Sequence, residues 1–212
     1  MNKILLWVLL FILSMLTGCL VTLYPIFTEE DVVFRPDLLG NWKYISKSDS
    51  ANVNLDRISS SRGAELSGAI QKIIDKGYIL TWKTEQGEIR YQYFIFLARI
   101  NQHYFLDYYP ADKEGQKNLD PIYKAHYVKM HTCFRIDFRN KDHFEIREFD
   151  ESFFNGLIDN HQIRLSHEDR TMPTDGRVIT ASTEQLQHWL VKYYDEKKAY
   201  NADNTFDCKR IY

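Results

Sequence analysis

The chain has 212 residues, a formal net charge of −2 and a pI near 6.4, its 27 Lys and Arg scattered among 29 Asp and Glu. That length suffices for one domain with a well-buried core, and the lack of a clustered basic face argues against nucleic-acid binding, which depends on neutralising phosphates. Aromatic residues make up 15% of the chain and fall in stretches suited to a pleated surface, while only 9 Gly and 5 Pro, with no repeat or low-complexity tract, exclude solenoids and flexible linkers.

The first segment is MNKILLWVLLFILSMLTGC: Lys3 supplies a positive end, Ile4 to Leu13 is an unbroken apolar run, and small residues lead down to Cys19. This is a signal-peptide layout. Its last four residues, LTGC, resemble the lipobox of bacterial lipoproteins, which implies cleavage before Cys19 and a diacylglyceryl group on its thiol. Each buried CH₂ of such chains contributes about 0.8 kcal/mol, so two or three chains make a firm membrane anchor. Leu20 stands where Asp often marks inner-membrane retention, so the resemblance implies an outer-membrane protein facing the periplasm. The alternative is an uncleaved transmembrane helix over residues 4–24. The expected organisation is a signal peptide over 1–18, a lipidated tether over 19–33 and one domain over 34–212.

Within the domain, FRPDLLGNWKYI reads as a turn bounded by Pro36 and Gly40 and a first strand with Trp42 and Tyr44 on one face. Leu66, Ile70, Ile73 and Ile74 have helical spacing, which predicts a short surface helix over 62–75. YILTWKT, a turn at EQGE and IRYQYFIFLARI predict a hairpin; Ile89, Tyr91, Tyr93, Ile95 and Leu97 share one face, and Arg90, Gln92, Phe94 and Phe96 the other. HYFLDYYP follows as a strand that Pro110 ends. ADKEGQKNLDP reads as a loop, and IYKAHYVKMHTCFRIDF resumes the strand pattern. Phe134, Ile136 and Phe138 then share a face with Phe144 and Ile146 across an NKD turn, with charges on the other side. Asp150 is a candidate N-cap for a two-turn helix in DESFFNGLI. RVIT is the expected last strand, and Ser182 and Gln185 have capping-box spacing at the start of STEQLQHWLVKYY, whose stripe is Leu186, Trp189, Leu190 and Tyr193.

The expected fold class is mainly β (α+β): an antiparallel meander closing into a barrel, which removes exposed edges, with an amphipathic helix at its C-terminal end and one or two short extra helices. Gly40-Asn41-Trp42 resembles the G-x-W of lipocalin-type barrels, and the helix after RVIT resembles their packed C-terminal helix. The order YPIFTEEDVVF, LLGNW, FLDYYP and VITASTEQLQ also resembles a group of uncharacterised bacterial lipoproteins, which implies one secreted domain and imports no activity.

With Cys19 lipidated, Cys133 and Cys208 remain. An oxidising periplasm makes a disulfide possible, and lipocalin-type barrels often tie their tail to the wall in this way. Closing a loop of about 75 residues would contribute roughly 4 kcal/mol on chain-entropy grounds; two separate thiols are the other reading, and both stay open. HYVKMHTC offers two His, a Met and a Cys, but on a strand His126 and Met130 face one side and His131 and Cys133 the other, so no metal site is expected. His161, His167 and His188 read as surface residues, and Asp107 and Asp120 as strand-end and turn residues. No G-x-S-x-G, S-x-x-K, P-loop or Rossmann pattern occurs, so neither an enzyme nor a cofactor is expected. The functional expectation is a membrane-tethered envelope lipoprotein that binds a small apolar ligand or a partner protein. The alternatives are an assembly lipoprotein with a filled barrel and, third, an envelope hydrolase.

Overall fold

A computed structural model describes residues 19–47, 50–63, 66, 68–84, 87–111, 120, 128–170 and 176–212; the expected signal peptide and His126 lie outside them. In chain order the strands are β1 (Val21–Thr22), β2 (Gly40–Ile45), β3 (Ser50–Arg57), β4 (Tyr78–Lys83), β5 (Ile89–Ile100), β6 (His103–Pro110), β7 (His131–Asn140), β8 (His143–Phe149), β9 (His167–Arg170), β10 (Gly176–Ile179) and β11 (Tyr200–Ile211). From β2 to β8 each strand pairs antiparallel with the next, and β11 pairs with both β8 and β2. The result is a closed eight-stranded antiparallel barrel. Outside it, β1 runs antiparallel on β7 and parallel to β10, which pairs with β9.

Two apolar clusters, one on each face of the wall, follow from the period of 2. On β5, Tyr93, Ile95 and Leu97 point into the barrel, while Phe94, Phe96 and Ala98 point outward into a second core. Both faces of this strand are apolar because its outer face is covered; β2 exposes Asn41 and Lys43 outward and buries only Trp42 and Tyr44. The cover is made by α1 (Glu151–Asp159), α2 (Thr183–Lys192) and the N-terminal segment. Asp150 caps α1 by accepting from the Phe153 N–H at 2.8 Å, and Ser182 and Gln185 form the reciprocal capping box of α2. Trp189 of α2 packs on Phe154 of α1 with ring centroids 3.7 Å apart, and both meet Phe149 at the end of β8.

One end of the barrel is plugged. A 3₁₀ turn over Pro36–Leu38 drops Leu38 into it, and the Trp42 indole N–H donates to the Leu38 carbonyl at 2.9 Å. Phe144 meets Trp42 edge-on at 4.5 Å, and the Arg210 guanidinium from β11 lies over the indole at 4.3 Å. Arg210 also donates to the carbonyls of Asp37 and Leu39 and to the Asp142 carboxylate. Gly40 is favoured here by its φ of +122°; a Cβ would also press on Arg210 Nη1 at 2.9 Å, the far end of a side chain.

The structure corrects three sequence expectations. The segment 19–33 is no free tether: Leu20, Ile26, Phe27 and Val32 are buried, and residues 31–33 bond to β5 through Arg99 N–H to Asp31 O and Val33 N–H to Leu97 O. The last barrel strand is β11, not RVIT, and the long amphipathic helix precedes it. Arg177 to Ile179 of RVIT lie in β10, off the barrel, and β11 takes the place between β8 and β2. The helix expected over 62–75 is broken into turns at Ser60–Gly63 and Gly68–Gln71 and a 3₁₀ turn at Ile74–Lys76. Gly63 lets Ile74 approach so closely that a Cβ there would lie 1.5 Å from it, so packing of Leu66, Ile70 and Ile73 on the outer core outweighs helical continuity. Of the two readings left open for Cys133 and Cys208, the structure has free thiols on opposite sides of the wall, Cys133 in the outer core and Cys208 in the inner one.

Candidate functional site: a cavity at the barrel mouth

Strands β2, β4, β6 and β8 all end on the rim opposite Trp42, and the inward residues near those ends decide what that half contains. Around Leu38, Leu55, Tyr78, Ile95 and Phe144 the interior leaves a void of only about 10 Å³, too small for water. Above it lies a cavity of about 630 Å³, within the roughly 300–1,000 Å³ range of small-molecule sites. Its walls are mainly aromatic: Tyr44 and Trp82 on one side, Tyr93 and Tyr108 on another, Phe134 and Phe206 on the third. Rings 4.6–6.2 Å apart, such as Tyr108 with Phe134 and Tyr44 with Phe206, hold this lining in fixed orientations.

The polar groups are few. Tyr44 and Tyr108 interact through their phenols, and burial pushes both well above the usual phenol range. Glu148, the last inward residue of β8, is buried against the cavity wall; burial raises its carboxyl, opposed by hydrogen bonds from the Cys19 thiol and Asn204. Arg90 and Lys129 stand at the rim, Arg90 near the Tyr91 ring and Lys129 bonded to the Pro110 carbonyl at 2.9 Å. The arrangement suits a mainly apolar guest with one polar end.

Cys19 is exposed and lines the same cavity, next to Val21 and Glu148. It bridges to Asp150, Leu20 is buried, and β1 begins two residues later.

The other candidates are structural. His131 Nδ1 donates to Asp107 at 2.6 Å, and the other Asp107 oxygen accepts the Ile26 N–H at 3.0 Å. This pair, 3% and 0% exposed, lies on the outer wall beneath the N-terminal segment, away from the cavity. Cys133 faces the same outer core and Met130 lines the cavity. His167 bonds the Leu165 carbonyl, His161 sits exposed after α1, and His188 is on α2. Among the described residues no three His, Cys, Asp or Glu are grouped to hold a metal, and no helix is long and apolar enough to cross a membrane. Gly40 and Trp42 lie at the plugged end and shape the floor rather than the cavity.

Glu148, Trp82, Phe206 and Arg210 are the residues that sequence reasoning missed. Parity carried two residues past Phe144 and Ile146 would have turned Glu148 inward. Phe206 and Arg210 left no comparable signal, because β11 reads as a polar tail, YNADNTFDCKRI. No protein-family model, curated protein or solved structure matches the chain.

Proposed function

We propose that this chain is a lipid-anchored protein of the bacterial envelope whose lipocalin-like barrel binds a small, mainly apolar molecule with one polar end. The observation that carries this reading is the aromatic cavity of about 630 Å³ standing on a filled floor. A barrel built only as a scaffold would pack its interior throughout, as the Trp42 end is packed. The LTGC motif supports the anchor, outer-membrane placement facing the periplasm being the specific proposal. A binding role fits better than catalysis: of the acid–His pairs among the described residues, Asp107–His131 is sealed in the outer core and bonded to backbone, and His143–Asp207 lies on the outer face of β8 and β11 with Asp207 also paired to Lys209, neither lining the cavity.

The test uses the mature chain with Cys19→Ser, produced without lipid, and a fluorescent fatty acid. Saturable binding with about one site per chain, lost in Thr132→Trp, which fills the cavity from β7, is the expected result. A folded chain that binds no apolar probe would overturn the reading in favour of an assembly role for the barrel surface.

A further inference from the structure

We infer that the mouth cavity is a seat for the protein's own lipid: one acyl chain carried by Cys19 enters the barrel, and an outside ligand competes with it. This rests on the proposed lipidation and cavity. The first observation is placement. The Cys19 side chain is itself part of the cavity lining, beside Glu148.

The second is restraint. A lipoprotein with a flexible linker would let its lipid move far from the folded body, but here no free linker exists. Cys19 is bridged to Asp150, Leu20 is 3% exposed, and Val21 and Thr22 are held between β7 and β10. Whatever is bonded to Sγ therefore starts at the cavity rim and cannot swing clear of it.

The third is chemistry. From Sγ the wall runs over Tyr93 and Phe134 to Phe206, apolar surface that an acyl chain covers and water covers poorly. The rim continues this surface outward through Tyr91 and Val128, 47% and 58% exposed, so a chain can pass between cavity and bilayer over apolar ground. With one chain inside and the remaining acyl chain or chains in the membrane, the barrel mouth is held against the bilayer.

The experiment feeds cells expressing the full chain a fatty acid carrying a terminal diazirine, irradiates them, and maps adducts of the Cys19 peptide by mass spectrometry. Internal cross-links to the segments holding Tyr93, Phe134 or Phe206 are expected, reduced at least fivefold in Thr132→Trp at equal acylation. A Cys19 lipid that cross-links only to other molecules overturns the inference, and so does a mature chain without acyl mass on Cys19. Fatty-acid binding by the Cys19→Ser chain is measured beside it: binding without internal cross-links leaves the cavity reading standing and removes only the self-seating, whereas loss of binding removes the cavity reading itself.

Discussion

Replacing Asp107 tests how the N-terminal segment is fastened to the barrel. Asp107 is fully buried and accepts two hydrogen bonds, one from His131 Nδ1 on the neighbouring strand and one from the Ile26 N–H. Asp107→Ala leaves both donors buried without an acceptor. At about 1–3 kcal/mol for each unsatisfied buried donor the loss is roughly 2–6 kcal/mol, a large share of a domain's typical stability of about 5–15 kcal/mol. Asp107→Asn keeps the shape but turns an amide N–H₂ towards one of the donors, so it should cost less, roughly 1–3 kcal/mol. Urea unfolding of residues 19–212 carrying Cys19→Ser, followed by circular dichroism, measures both. Hydrogen exchange at the Ile26 amide locates the effect, and a cycle with His131→Ala isolates the coupling. An Asp107→Ala protein within about 0.5 kcal/mol of the parent, inside the range of ordinary surface substitutions, would refute the claim that this pair holds the segment down. If Asp107→Ala does not fold, the Asp107→Asn value carries the test.

Ser182→Ala removes half of the α2 capping box and should lower stability by about 1 kcal/mol, seen as a shift of the urea midpoint with unchanged slope. Cys133 and Cys208 should both react with a thiol reagent once the unreduced protein is denatured, and neither in the folded protein at neutral pH, since burial raises both thiols. Recovery of fewer than two thiols would contradict the separation across the wall. Burial pushes the Tyr78 phenol from 10.0 to about 12, and burial with the nearby Asp137 carboxylate does the same for Tyr194. Their contribution is fully present below pH 10, because the unfolded chain then keeps its phenolic protons, and it is lost as pH rises from about 10 towards 12. Unfolding midpoints should therefore fall over that window, and the part of the tyrosinate absorbance that Tyr78→Phe and Tyr194→Phe remove should appear together with unfolding rather than before it.

Strand pattern and capping were legible wherever neighbouring residues decide them. The alternation in IRYQYFIFLARI assigned both faces of β5, because a strand's period of 2 holds whatever it packs against. Asp150 and Ser182 announced their helices because a cap is a contact between residues three apart. Glu148 was overlooked although the same parity applied to it, since a carboxylate on an inward position reads as an error until a cavity explains it. The helix expected over 62–75 failed for the opposite reason: apolar spacing was right, but Gly63 and the outer core favoured separate turns.

Composition and local pattern were thus enough to determine a β-rich fold, the strand order from β4 to β8, the two capped helices and the Cys19 motif, while β3 (Ser50–Arg57), polar in sequence, left no signal. Tertiary structure alone decided how the ring closes, because β11 pairs with β8 and β2 across long stretches of chain and carries no strong strand signature of its own. It also decided that Cys133 and Cys208 lie on opposite faces, and that the segment after Cys19 is docked rather than free. Each of these depends on contacts between residues distant in the chain, and only closure of the barrel brings Cys19, Glu148 and the aromatic rings around one cavity.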